Sequence, residues 1–466
     1  MKKSSLSIIL VLTVLMSTAL FGCGTASTGD TAATGSTAAV ASTAAPASTE
    51  APAATEVNIS ILGHQSRDQI GKAGFCTGFF NSLDAYTAAN PLVKVTYQGL
   101  DQTNYQTKIN ALAAADDMPD LFMLKGSWTK TFVDNGWVTD ITNDLNADTA
   151  WKDGYIKGGF DNATVDGKIY GVPQESMTTS LIFYNADMWS SIGYSKFPAT
   201  WTELNDAVAK FKAKGITTFV MGNKANWPAE SDWLSTLGDR ATGTAWTNSI
   251  LSKGGAKFTD PDFIFGLKTF QDLAKAGAFN ADINSLDDSE QNTVYFNKKA
   301  AAICTGTWFI PMVDSTAPAD VKAATHLAIL PSLEGGKGDA NAASGGPAWF
   351  LSLSNKVTGD NADKYKAASA LLKTLTDNNQ ADITASLGGV TAWADPTYDK
   401  SKASPLFNEY NDLIKNVTAT PIYDASMDSS VIQTMNVGLQ ELLINATTPE
   451  KLADQIQKQQ DIVNLK

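Results

Sequence analysis

Five apolar segments in a row, switching between a period of two and a period near 3.6, open the body of this chain and leave few folds available to it. Val57-Asn58-Ile59-Ser60-Ile61 alternates as a strand does. After a polar loop from Gly63 to Gly74, residues 79–89 carry a helical pattern, and Leu92 to Tyr97 reads as a second strand. Residues 105–115 are helical, with Ile109 and Leu112 on one side, and Pro119 to Leu124 is a third strand. Strand, helix, strand, helix, strand requires crossover connections, which means a parallel sheet with helices on its faces. The same alternation returns downstream. Thr200-Trp201-Thr202-Glu203 has the form of a capping box opening a helix with Leu204, Val208 and Phe211 in step, ended at Gly215. Thr217 to Met221 follows as a strand, residues 363–376 form a helix with Ala368, Leu371, Leu372 and Leu375 on one face, and Pro449 stands at a helix start. No repeat of 20–50 residues interrupts the α/β pattern.

Composition narrows function. A formal charge of −13 repels phosphate backbones, so no nucleic-acid partner is expected. Histidine occurs only as His64 and His326, and no GxSxG, HExxH, P-loop or GxGxxG is present. The chain therefore reads as a non-enzyme with no cofactor and no metal. Gly71, Gly74 and Gly78 lack the strand-to-helix context of a phosphate cradle, and the paired carboxylates Asp116-Asp117 and Asp287-Asp288 read as solvated surface. Cys76 and Cys304 are either bridged or two isolated buried thiols. With 11 Trp, 12 Tyr and 20 Phe, the composition suits gripping a ligand with flat rings.

The N-terminus reads as an address. Residues 1–22 carry Lys2 and Lys3, an apolar run from Ile8 to Val14 and small residues before Cys23, the form of a secretory signal. Leu20-Phe21-Gly22-Cys23 resembles the bacterial lipobox, which implies lipidation of Cys23. In residues 24–56, 24 of 33 positions are Ala, Thr or Ser, too little apolar area to offset ordering, so residues 23–56 are expected to form a flexible tether. The expected location is the outer face of the cell membrane, held by lipid.

Several dispersed stretches then carry a resemblance. Tyr105-Gln106-Thr107-Lys108-Ile109 leads to Met118-Pro119-Asp120-Leu121-Phe122. Asp166-Gly167-Lys168-Ile169-Tyr170-Gly171-Val172-Pro173 precedes Phe183-Tyr184-Asn185 and Pro198-Ala199-Thr200-Trp201. Phe296-Asn297-Lys298-Lys299-Ala300-Ala301-Ala302 runs to Gly306-Thr307-Trp308, and Gly345-Gly346-Pro347 comes before an Ala/Leu-rich helix. Together they resemble the extracellular solute-binding proteins of ABC importers, the family that includes maltose- and oligosaccharide-binding proteins; Lys299 departs from a glycine common there. The resemblance implies two α/β lobes joined by a hinge crossed three times, with a ligand cleft between them. The crossings fall near 172–178, 343–350 and 388–394, giving a first lobe of 57–172 plus 350–388 and a second of 178–343 plus 394–466. It further implies a sugar or oligosaccharide ligand, ABC permease subunits as partners, and a monomer.

Candidate ligand residues follow from sugar chemistry: rings cover the C–H face, carboxylates and amides take the hydroxyls. Trp128 and Trp227 lie just past strands whose C-terminal ends would open on the cleft. Trp308 stands at the family's Gly-x-Trp position, and Trp349 and Trp393 lie beside crossings. Glu175 is at the first crossing; His64, Gln65 and Arg67 follow the first strand; Asp232 and Asp287 complete the set, whereas His326 reads as structural. Two other readings stay open: a binder of a polyamine, which would want several cleft carboxylates, or of an anion or peptide; and, more remotely, a tethered hydrolase.

Overall fold

The computed structural model describes residues 55–358 and 362–465. The signal segment, Cys23 and nearly all of the tether lie outside the described residues. Strand Val57–Gly63 pairs in parallel with Val93–Gly99 on one side and Leu121–Lys125 on the other. Helices Gly74–Ala89 and Gln102–Ala114 make the crossovers. The first helix begins five residues before the expected Phe79, because Cys76 and Phe79 both turn inward from one continuous helix. Trp349–Leu353 and Val172–Pro173 extend this sheet antiparallel on its far edge.

A second sheet has the order Thr325–Ile329, Leu181–Asn185, Ala300–Thr305, Thr217–Val220. The last two run parallel, and Leu181–Asn185 is antiparallel to both its neighbours. Every residue of Leu181–Asn185 and Ala300–Thr305 is buried, as strands covered on both faces require. Helix Trp201–Ala213 has both halves of the capping box, with Glu203 N–H donating to Thr200 Oγ1 and the Glu203 carboxylate accepting from the Thr200 N–H.

Two passages of chain between the sheets run side by side. Met177–Thr178 pairs antiparallel with Gly345 and Gly346, and Val172–Pro173 with Phe350 and Leu351. Around residues 388–394 the chain touches both units: Ile156 N–H donates to Ala392 O and Ala394 N–H to Gly154 O, while Val390 and Tyr398 pack against the apolar cluster around Phe407 and Tyr410. Cys76 and Cys304 are free and buried. No described helix is long and apolar enough to cross a membrane, and the described residues hold no cluster of three potential metal ligands.

Candidate functional site

Strand ends from both sheets converge on one cavity of about 290 Å³. His64 follows Val57–Gly63, Lys125 ends Leu121–Lys125, and Trp349 begins the antiparallel strand in register opposite Lys125. Glu175 and Met177 come from the first passage between the sheets. The second sheet's side contributes Trp227, Ser231, Asp288, Thr307 and Trp308. Carboxyl ends of parallel strands leave backbone groups and loop side chains pointing out of the sheet, which is why α/β folds place ligands there.

Three rings form the walls. Trp227 and Trp308 meet with centroids 5.8 Å apart at 67°. Trp349 lies 4.5 Å from His64, with the Lys125 ammonium 5.5 Å from its ring. Trp308 leaves the buried strand Ala300–Thr305 through Gly306, where a Cβ would stand 2.1 Å from the indole. Only glycine lets that ring fold back over its own chain.

The electrostatics are acid-rich. Lys125 and Asp424 form a buried ion pair at the cavity wall. Glu175 has no hydrogen bond or ion pair among the described residues, and burial pushes its carboxyl up to about 8. Asp288 is pushed up to about 7 by burial, with the charge of Asp287 adding to the effect. His64 is held down at about 4, by burial first and then by Lys125, so it is a neutral imidazole, and its Nδ1 has no hydrogen-bond partner. Behind the wall, burial raises Glu230 and Asp232 well above the usual carboxylate range. Both sit on a π-helical turn, Ala229–Leu234, a geometry that often marks functional sites.

Of the eleven candidates read from sequence, His64, Glu175, Trp227, Trp308 and Trp349 line this cavity. Six lie elsewhere. Trp128 is buried one ring behind, edge-on to Trp349 at 5.4 Å and stacked on Phe132 and Tyr105. Gln65 is buried in the first lobe, donating to Gln174 Oε1 at 2.9 Å and accepting from Tyr97 Oη, so it positions the chain beside Glu175. Arg67 is exposed, its guanidinium taken up by both oxygens of Asp84 and lying over Phe80. Asp232 is enclosed behind Ser231. Asp287 is the N-cap of helix Asp288–Phe296, accepting from Ser289 and Glu290 N–H. Trp393 covers Gly154 and packs edge-on to Tyr155. His326 holds Glu409 at 3.0 Å, away from the cavity.

Asp288, Lys125, Asp424 and Ser231 were missed. Asp288 corrects the reading of Asp287-Asp288 as solvated surface: capping turns Asp287 back onto the backbone and leaves its neighbour facing the cavity. The signal was the capping box itself, Asp287 with Glu290 three residues on. Asp424 carries no local signal.

Two α/β sheet units with one aromatic and carboxyl-lined cavity where their strand ends meet define a cleft-type binding protein. The chain belongs to the bacterial extracellular solute-binding protein family, whose model matches residues 80–381. A chitin oligosaccharide binding protein of known structure is 26% identical, with a TM-score of 0.78 over 88% of this chain and 100% of its own. A structure from work on xylan utilization by the thermophilic bacterium Caldanaerobius polysaccharolyticus is 27% identical, with a TM-score of 0.75 over 86% of this chain and 99% of its own. An ABC transporter extracellular-binding protein of Pyrococcus horikoshii is 25% identical over 244 residues, 51% of this chain and 54% of that relative. The chain thus spans about half the length of the curated relatives it matches.

Proposed function

We propose that this protein captures a sugar or oligosaccharide in the cavity by closure of its two lobes and delivers it to the permease subunits of an ABC importer, as a monomer tethered to the outer membrane face through lipidated Cys23. The observation that carries this reading is the set of three indoles, Trp227, Trp308 and Trp349, walling one cavity that also holds uncommitted carboxyls. Indole faces match the apolar C–H face of a pyranose, and carboxyls accept from its hydroxyls. The relatives whose names speak of chitin oligosaccharide and xylan support the same class of ligand. In this reading the first lobe is 57–172 plus 350–388, and the second is 178–343 plus 394–466. The protein turns nothing over: the carboxyls serve as hydroxyl and charge partners.

A thermal-shift screen of the purified protein against mono- and oligosaccharides tests this. A ligand at 100 times its Kd adds about 2.7 kcal/mol of stability. No shift with any sugar would overturn the carbohydrate reading, and a chemical product whose formation a point mutation abolishes would overturn the absence of turnover.

A further inference from the structure

We propose that the sugar for which this cleft is built carries a protonated amine, held between Glu175 and Asp288; this rests on the carbohydrate reading above. Among the described residues, the carboxyls that line the cavity have no cation free to meet them. Among the described residues Lys125 is the one lysine or arginine lining the cavity, and it is committed to Asp424. Glu175 also lines it, with no hydrogen bond or ion pair among the described residues, and Asp288 Oδ1 is buried without a partner among them.

Behind the cavity wall lies a second layer of carboxyl oxygens without a partner among the described residues. Asp232 is 1% exposed and neither of its carboxylate oxygens has a partner; Glu230 is fully buried and its Oε2 has none. The carboxyl of Asp232 lies close enough to Asp288 and Asp424, both at the cavity wall, to feel their charge. Buried carboxyls left without a partner are costly. Neutral hydroxyls supply one donor each and no charge, whereas an ammonium supplies three donors and a positive charge. The Trp227 and Trp308 faces, 5.8 Å apart and steeply inclined, add cation–π attraction for the same group. A linear polyamine would satisfy the acids but has no flat face to set against three indoles, which is why the amine is placed on a sugar.

A consequence follows for protons. The titratable groups around the cavity are Glu175, Asp288, Asp424, Lys125, neutral His64 and the Cys76 thiol, which burial pushes up to about 11, with Glu230 and Asp232 behind. In the empty cleft Glu175 and Asp288 hold protons at or near neutral pH. An arriving ammonium favours their ionised forms, so its binding releases protons to the buffer.

The experiment is titration calorimetry on the full purified protein with matched pairs that differ only in ammonium against hydroxyl: glucosamine and glucose, galactosamine and galactose, mannosamine and mannose, and the glucosamine trimer with cellotriose. Spermidine is the non-sugar probe, and each titration is run in two buffers of different ionisation enthalpy. At least one aminated sugar is expected to bind about tenfold or more tightly than its hydroxyl twin, the range of a charge-assisted hydrogen bond, with net proton release. In Glu175→Gln and Asp288→Asn that preference ratio is expected to fall about tenfold; if one variant fails to fold, the other carries the test. Neutral sugars binding as tightly as their aminated twins, or a preference ratio untouched by both variants, would overturn the proposal and leave the carbohydrate reading standing. Spermidine binding above every sugar, or no sugar binding at all, would overturn both.

Discussion

Adding one methyl group at Gly306 is expected to displace Trp308, the ring proposed to carry the largest ligand contact. An ideal Cβ there lies 2.1 Å from Cζ3 of Trp308 and 2.3 Å from Cη2, where ordinary contact begins at 3.4 Å. Gly306 is not in the left-handed region, so Gly306→Ala adds no backbone strain and the conflict falls on the indole. The indole cannot flex; it must swing out of its place against Trp227. A buried Trp covers 150–250 Å². Trp308 is half-buried against protein already, which leaves on the order of 100 Å² for ligand. At ~25 cal/mol per Å² that is about 2.5 kcal/mol, or roughly a 70-fold rise in Kd. The assay is calorimetric titration with the tightest sugar found, alongside thermal melting of wild type, Gly306→Ala and Trp308→Ala. Both variants should lose comparable affinity, with Gly306→Ala retaining most of its thermal stability. Unchanged affinity in Gly306→Ala, or a fall in melting temperature with affinity intact in both variants, would show that Trp308 is a packing residue and refute the reasoning.

Three further outcomes are expected. Lys125→Met leaves Asp424 buried without its partner and should cost about 3–5 kcal/mol, most of it recovered in Lys125→Met/Asp424→Asn, as read by chemical denaturation. As pH rises from about 6.5 to 8 the empty protein should lose stability, because Glu175 and Asp288 hold protons in the fold that the unfolded chain has already released; His64, held at about 4, has the opposite effect only below 6.5. Melting curves across that range should flatten in Glu175→Gln, and an unchanged slope would argue against a protonated Glu175. Cys23→Ser should release the protein from washed membranes, and mass spectrometry of the wild-type N-terminal peptide should show acylation; a variant that stays bound would exclude Cys23 as the anchor.

The legible and illegible parts of the site divide by how local their cause is. Trp227 and Trp308 could be read because each follows a short buried strand, and a side chain just past the end of a strand has only the sheet's edge to occupy. Trp128 fits the same rule and still lies in the core: its 3-10 turn, Gly126–Trp128, turns the ring back onto Phe132 and Tyr105 because Trp349 occupies the position in front. Arg67 and Asp84, 17 residues apart, neutralise each other through the curl of a loop that carries no periodicity.

Period and capping are properties of neighbouring residues, so the α/β order, the capping box at Thr200 and the strand ending before Gly306 were determined by the sequence alone. Tertiary structure decided which carboxyls share a wall. Asp424 meets Lys125 across 299 positions, and Asp232 and Asp288 come together from separate helices. Long-range Coulomb and desolvation effects depend on distances that chain order does not encode, so the acidic character of the cleft emerges only when the two lobes are brought together.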